Sequence, residues 1–248
     1  MKAFALEAGQ GAAGLTTVPK PAVGDHEVLV AVRAASVNGF DVFQASGALI
    51  GMMEHALPTV VGRDFAGVVE AIGSSVTSVS VGDEVFGFIP AAPPLKSGSF
   101  AEFVVGGDDL VLAPMPATLD FLQAAGLPLA GSAALDLLDA IDGHDGDVVL
   151  IVGATGGVGS LTVQLAAARG LTVIGTARPN EDAFVRGLGA ADTIDYGAGS
   201  VADASLARYP EGVHGLIDLV NRGDALTDLS QVVHPGGRVA SLMGGGRR

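Results

Sequence analysis

The fold of this chain is decided by Asp147-Val-Val-Leu-Ile-Val-Gly-Ala-Thr-Gly-Gly-Val-Gly-Ser160, where an apolar β-branched run enters a glycine-rich turn. The alanine-rich segment Leu161–Arg169 follows and predicts a helix, and Leu171–Thr176 predicts a second strand. Strand, tight turn, helix and strand make the βαβ unit that holds a dinucleotide. The sequence therefore predicts a cofactor-binding domain built around this turn.

The glycines of the turn have separate physical tasks. Gly156 lets the backbone come close to a pyrophosphate, and Gly159 lets the helix pack tightly on the strand. The N–H groups at the start of the helix then face the phosphate charge. The alternative is a glycine-rich turn that binds nothing. The predicted cofactor contacts along the turn are Ala154, which replaces the first glycine of the usual pattern, Thr155, Gly156, Gly157, Val158 and Gly159.

Composition excludes several classes of function. The 248 residues carry a formal net charge of −14, which argues against a protein that binds nucleic acids or anionic membrane surfaces. With no cysteine, the chain has no disulfide, no thiolate catalyst and no Cys-ligated zinc. No apolar run has the length of a membrane span, and the first residues do not resemble a signal peptide. We expect a cytoplasmic protein.

The hydrophobic pattern changes near Leu119 and predicts two domains, residues 1–119 and 120–248. The first reads as short strands at the spacing of a partly open β-barrel: His26–Val37, Val61–Ile72, Asp83–Phe88, Phe100–Val105 and Leu110–Ala113. The second alternates helices and strands, which predicts an α/β domain with a doubly wound parallel sheet. In that half, Pro128 predicts a break between two helices, and Pro235-Gly-Gly237 predicts a turn before the strand Arg238–Met243.

Several motifs occur in the order in which one known family has them. They are Ser36-Val-Asn-Gly-Phe-Asp41, Val61-Gly-Arg-Asp-Phe-Ala-Gly-Val-Val69, Gly82-Asp-Glu-Val-Phe-Gly-Phe88, Gly98-Ser-Phe-Ala-Glu-Phe-Val-Val105, Leu127-Pro-Leu-Ala-Gly131 and the glycine turn. Together they resemble the medium-chain dehydrogenase/reductase superfamily, in its zinc-independent quinone oxidoreductase branch. The resemblance implies a GroES-like catalytic β-barrel domain, a Rossmann cofactor domain and an active-site cleft between them.

The resemblance also gives an expectation about a catalytic zinc ion. Zinc-dependent relatives hold a catalytic zinc on a Cys and a His, and this chain has Asn38 and Arg63 at the matching positions. Neither side chain is a suitable zinc ligand, and the nearby His55 without a cysteine partner is weak evidence for a zinc site. The remaining histidines are scattered without ligand spacing. We therefore expect no metal.

The end of the second strand of the βαβ unit discriminates between the two dinucleotides. A carboxylate there would bind the ribose 2′-OH of NADH. The chain instead reads Gly175-Thr-Ala-Arg-Pro179, in which Arg178 can pair with a 2′-phosphate and Thr176 is a further predicted contact. The resemblance assigns Tyr196 to the same phosphate. We expect NADPH, although Asp182 can disturb the pocket and Arg178 can instead be a solvated surface charge.

The predicted reaction is hydride transfer to a quinone or an α,β-unsaturated carbonyl compound, a small-molecule substrate. The resemblance implies that Asn38 orients substrate or nicotinamide, with Asp41 behind it; the alternative for both is a loop cap. Ser132 and Asn221 are predicted to contact the cofactor. The alternative for Ser132 is a helix N-cap.

Three departures from the family pattern open a second class of function. Phe43 and Ala133 stand where the family often has Tyr and Thr, and the sequence ends at Met243-Gly-Gly-Gly-Arg-Arg248, after the expected fifth strand of the cofactor domain. Relatives continue with another strand and with an interface strand used in dimers. The sequence thus predicts a truncated chain, a chain covered by a partner such as a second copy in a homodimer, or a repurposed one. The alternative function is a redox-inactive cofactor-binding protein or a non-redox biosynthetic protein.

Overall fold

A computed structural model describes residues 1–9, 11–107 and 110–244 of the chain. These residues form two compact units, Met1–Leu129 and a second one that begins at Ala130. The division falls later than the one predicted at residues 119 and 120. The physical reason is that Ala124 and Ala125 pack with Ala34 and Ala66 of the first unit in one buried cluster.

The first unit is built from antiparallel strands. Its elements are β1 (Lys2–Leu6), β2 (Gly14–Thr17), β3 (Val28–Ala34), α1 (Gly39–Ala45), β4 (Thr59–Val60), β5 (Asp64–Ile72), β6 (Glu84–Phe88), β7 (Phe103–Gly106), β8 (Val111–Pro114) and α2 (Phe121–Ala125). Five strands form a sheet in the order β7-β3-β5-β6-β8, and β2-β1-β4 form a smaller one. The Phe4 N–H of β1 donates to the carbonyl of Phe100, which precedes β7, at 2.8 Å. The β domain predicted from the sequence is confirmed.

A buried apolar core stabilises the large sheet of the first unit. Val30, Phe65, Val69, Val85 and Val104 are fully or almost fully buried and form its core. The helix α1 was not predicted within this half of the chain. It begins at the N-cap Asn38, and Asp41 at the third helical position completes a capping box, a pattern that the sequence contains.

The second unit is a parallel sheet with helices. Its elements are α3 (Pro128–Ile141, which starts in the first unit), β9 (Val148–Val152), α4 (Gly157–Ala168), β10 (Thr172–Thr176), α5 (Asp182–Gly187), β11 (Asp192–Ile194), α6 (Val201–Arg208), β12 (Val213–Asp218), α7 (Gly223–Leu229), a 3₁₀ turn (Ser230–Val232) and β13 (Val233–Ser241). The strand order is β11-β10-β9-β12-β13. All four strand pairs are parallel. This order reverses direction between β9 and β12, where doubly wound folds bind their ligands.

The predicted break between two helices at Pro128 is confirmed, because α2 ends at Ala125 and α3 begins at Pro128. The missing N–H of Pro128 costs nothing there, because the first helical N–H groups have no partner within the helix. A second local prediction in this half is wrong. Pro235–Gly237 is not a turn before a strand but part of β13. These residues form an irregularity in the strand. The register with β12 shifts there, because Val213 pairs with Val233 and the next pair is Gly215 with Arg238.

The described helices are short. The longest, α3, has 14 residues, whereas a membrane-spanning helix needs about 20 apolar residues. Within the described part of the chain, no helix combines the length and the apolar character that crossing a bilayer requires.

Candidate functional site

The glycine turn joins β9 to α4 at the edge of the sheet where the strand order reverses. Gly156 is the N-cap of α4, and no described side chain caps the first turn of the helix. Gly156 and Gly157 are exposed, Thr155 and Val158 are half-buried, and Ala154 and Gly159 are buried. The open N–H groups and the exposed backbone form a surface suited to a diphosphate.

Gly159 and Gly157 differ in what surrounds them. A Cβ on Gly159 would lie 2.0 Å from the Gly153 carbonyl oxygen, so the helix can pack on the turn only with glycine there. A Cβ on Gly157 would meet no protein atom within 4 Å, and its φ is not positive. The packing of the described residues therefore does not require glycine at position 157.

Thr176 supports the turn from the neighbouring strand. It is buried at the end of β10, and its Oγ1 accepts a hydrogen bond from the Gly153 N–H at 2.9 Å. Thr176 thus fixes the conformation of the turn, and the structure places it beside the predicted cofactor site.

Arg178 and Tyr196 lie just beyond the ends of the adjacent strands β10 and β11, and their side chains meet. Arg178 Nε donates to Tyr196 Oη at 3.0 Å, and the guanidinium lies 5.1 Å from the centre of the phenol ring. This hydrogen bond raises the pKa of Arg178, so the guanidinium keeps its charge. The contact holds a cationic fork in one orientation at the surface of the sheet edge.

Asp182, which the sequence analysis considered able to disturb the pocket of Arg178, is bound to other side chains. Asp182 is bound to Arg186 Nε at 3.0 Å and to the Thr193 hydroxyl, and both hydrogen bonds lower the pKa of Asp182. Asp182 is therefore occupied by these partners. Glu181 accepts the backbone N–H of Arg178 at 2.9 Å, and the Arg178 guanidinium donates to Tyr196.

Asp218 organises the loop that follows β12. It is fully buried, its Oδ1 accepts the N–H groups of Val220 and Asn221 at 2.9 Å each, and its Oδ2 accepts Asn221 Nδ2 at 2.8 Å. The predicted cofactor residue Asn221 is thus held by a carboxylate that the sequence reading missed. The available signal was an acid that directly ends the apolar run Leu216-Ile217.

We expect Asp218→Ala to destabilise the protein by about 3 kcal/mol, because it leaves two N–H groups without their acceptor. Denaturant unfolding measures this loss. The matched control is Asp139→Ala, which removes a carboxylate that is 68% exposed and paired with Arg169; its effect should stay below about 1 kcal/mol. Equal losses for the two variants would contradict the role given to Asp218.

Ser132 lies inside α3 rather than at its start. The helix begins at Pro128, so the N-cap alternative for Ser132 is wrong. The side chain is half-buried, and its contact with a cofactor stays a prediction.

A second group of polar side chains surrounds Asn38 in the first unit. Asn38 Nδ2 donates to Asp64 Oδ2 at 2.9 Å and to Ser36 Oγ at 3.3 Å, and the Ser36 hydroxyl donates to Asp64 as well. Asp64 is fully buried, and its Oδ1 accepts the Leu129 N–H at 2.9 Å. The Asn38 side chain is therefore held by Asp64 and Ser36, and Asn38 is also the N-cap residue of α1. The sequence reading missed Ser36 and Asp64 because nothing in their spacing indicates the contact.

Asp41 is buried behind this cap. Its Oδ2 accepts the Asn38 N–H at 2.7 Å, while its Oδ1 has no partner among the described residues. Burial raises the pKa of Asp41 and lowers the pKa of the nearby Arg63, and the attraction between the two groups opposes both shifts. As placed, Asp41 acts on Asn38 through the helix cap; a direct contact of either residue with substrate stays a prediction.

The residues present do not fit a catalytic zinc. Among the described residues, no group of three or more histidine and carboxylate side chains is placed to hold a metal ion. The chain has no cysteine. Arg63, at one of the positions noted above, is a buried cation that would repel a divalent ion.

Comparison with known proteins agrees with both units. Residues 24–117 match the family model "Alcohol dehydrogenase GroES-like domain", and residues 157–246 match "Zinc-binding dehydrogenase". A quinone oxidoreductase structure from Coxiella burnetii has a TM-score of 0.84 and 34% identity, with coverage of 97% of this chain and 75% of that one. An alcohol dehydrogenase superfamily protein from Novosphingobium aromaticivorans has a TM-score of 0.88 and 34% identity, with coverage of 100% and 74%.

The chain therefore belongs to the medium-chain dehydrogenase/reductase superfamily. Within it, the chain is 34% identical to the quinone oxidoreductase of Mus musculus, over 88% of this chain and 65% of the mouse protein. It is also 34% identical to the chloroplastic NADPH-dependent alkenal/one oxidoreductase of Arabidopsis thaliana, over 90% of this chain and 57% of that protein. The chain thus spans less than two thirds of the length of these curated relatives.

Proposed function

We propose that the chain is an oxidoreductase that uses NADPH to reduce a quinone or an α,β-unsaturated carbonyl compound without zinc. The observation that carries the proposal is that no described side chain caps the N-terminus of α4, which follows the glycine turn where the strand order reverses. The Arg178–Tyr196 pair lies on the same edge of the sheet. The names of the mouse and Arabidopsis relatives support the same class of reaction.

The turn supports a nicotinamide dinucleotide as the bound group. Backbone N–H groups at the start of α4 donate to the diphosphate, and Thr176 and Gly159 keep the turn in the shape that exposes them. On the β12 side of the turn, Asp218 binds Asn221 Nδ2, which leaves the Asn221 amide oxygen for the nicotinamide half. On the β10 side, Arg178 and Tyr196 receive the adenosine half.

The choice of NADPH rests on charge. The 2′-phosphate is a dianion that a guanidinium binds through two parallel hydrogen bonds. Arg178 uses its Nε on Tyr196, so its two terminal nitrogens remain available to a phosphate among the described contacts. NADH offers only a hydroxyl at this position.

The bound cofactor supplies a hydride from the nicotinamide ring. An enone would take up this hydride at its β-carbon and a proton at its α-carbon. Among this chain's residues, Asn38 is proposed to orient the acceptor, held by Asp64 and by the cap with Asp41. Water is proposed to supply the proton.

The experiment follows NADPH oxidation by absorbance with a simple quinone and with an alkenal, using the full chain. We expect turnover with at least one acceptor and no loss of rate after treatment with a strong chelator. Tight NADPH binding without oxidation over a broad acceptor panel would instead support the redox-inactive alternative. A rate that chelator abolishes and zinc restores would contradict zinc independence.

A further inference from the structure

The helix α1 buries polar side chains and exposes apolar ones, which is the reverse of an ordinary amphipathic helix. Its polar residues Asp41 and Gln44 are 1% and 0% exposed, whereas Val42 and Phe43 are 60% and 62% exposed. Helices of globular proteins are normally held by a buried apolar face. With seven residues, α1 is also far shorter than the roughly 12 residues that an isolated helix needs to be even marginally stable. Polar contacts on the buried face must therefore hold it.

Arg63 supplies these contacts. Its Nη2 donates to Gln44 Oε1 at 3.2 Å, its charge attracts Asp41, and its guanidinium lies 5.5 Å from the centre of the Phe40 ring. Phe40, Asp41 and Gln44 are spaced so that they share one face of a helix. Arg63 thus contacts Phe40 near the start of α1 and Gln44 near its end, and its charge attracts Asp41 between them.

The same guanidinium is tied to the body of the first unit. Its Nη1 donates to the carbonyls of Ile89 and Pro90 at 3.5 and 3.3 Å, and its Nη2 donates to the Ser97 carbonyl at 3.3 Å. Arg63 itself is 2% exposed. Only a planar fork with several N–H donors can reach these carbonyls and Gln44 together; a lysine has one ammonium group to offer.

We propose that Arg63 is a positioning residue, whose buried guanidinium fixes α1 and, through it, the cap residue Asn38. This inference rests on the proposed reductase function, because it assigns Arg63 to the orientation of the acceptor through Asn38. Removing the fork would free α1 from its supports at Ile89, Pro90 and Ser97 while the cofactor residues of the second unit keep their own contacts.

The first test is Arg63→Lys, which keeps the charge that compensates Asp41 but loses the fork. We expect kcat with a quinone to fall at least tenfold, while the melting temperature changes by only a few degrees and the Kd of NADPH stays unchanged. The matched control is Arg33→Lys, on an exposed arginine of β3 in the same unit, which should change none of the three. Turnover of Arg63→Lys within twofold of the unchanged protein would overturn the proposal.

The second test is chemical rescue. Arg63→Ala leaves a buried space that free guanidinium ion fits, so millimolar guanidinium should restore kcat in a saturable way, and sodium at the same ionic strength should not. Recovery of the melting temperature without recovery of kcat would overturn the proposal, as would a variant that stays unfolded at every guanidinium concentration. A different result would contradict the proposed reductase function itself, namely that the unchanged protein binds no NADPH.

Discussion

Gly157→Ala is expected to raise the Kd of NADPH at least 30-fold while the free protein becomes slightly more stable. The added methyl group meets no protein atom within 4 Å, and alanine is favoured over glycine within a helix by about 1 kcal/mol. In the proposed complex, this methyl group would lie where the diphosphate approaches the backbone. A 30-fold weakening corresponds to about 2 kcal/mol of lost binding free energy. Calorimetric titration gives the Kd, and thermal unfolding gives the stability.

The matched control for this change is Gly187→Ala at the end of α5. Gly187 is also exposed, and a Cβ there also meets nothing within 4 Å. The control should gain similar stability and keep its affinity for NADPH. Gly159→Ala should behave in a third way, because its Cβ would lie 2.0 Å from a backbone oxygen; we expect loss of the folded second unit. Unchanged NADPH affinity in Gly157→Ala would contradict a diphosphate site at the turn.

Arg178→Ala is expected to remove the preference for NADPH. The Kd of NADPH should rise about 30- to 100-fold, because charge-assisted hydrogen bonds contribute about 2–3 kcal/mol. The Kd of NADH should stay within twofold, since NADH has no phosphate at this position. Titration of both cofactors against the variant measures the two effects separately.

The control for Arg178 is Arg169→Ala, which removes an arginine paired with Asp139 at the C-terminal end of α4. It tests whether one lost positive charge on a protein of net charge −14 weakens NADPH binding in general. Tyr196→Phe should give a smaller effect than Arg178→Ala, because it removes only the group that orients the fork. Equal affinity of the unchanged protein for NADPH and NADH would show that Arg178 has no such role.

Sequence alone predicted the parts of the site that depend on local pattern. The strand and helix on either side of Gly156 follow from hydrophobic period and glycine spacing. Arg178 follows from the absence of an acid after the second strand of the βαβ unit, whereas Tyr196 follows only from the family resemblance. Neither line of reasoning predicts the hydrogen bond between the two side chains.

The parts that escaped prediction depend on contacts distant in the chain. Asp64 accepts from Ser36, Asn38 and Leu129, and Arg63 reaches Gln44 and Ser97. No period or motif in the sequence encodes such pairs, because each depends on how loops of the β unit pack. The irregular course of β13 is similar: Pro235 and two glycines read as a turn, and pairing with β12 on either side overrides them.

The central claim is that the glycine turn binds the diphosphate of NADPH, and calorimetric titration of the full chain with NADPH and NADH tests it most directly. We predict heat of binding for both, with the tighter Kd for NADPH, and a melting temperature that rises with its concentration. If neither cofactor gives binding heat or thermal stabilisation, the dinucleotide site is wrong and the reductase function fails with it.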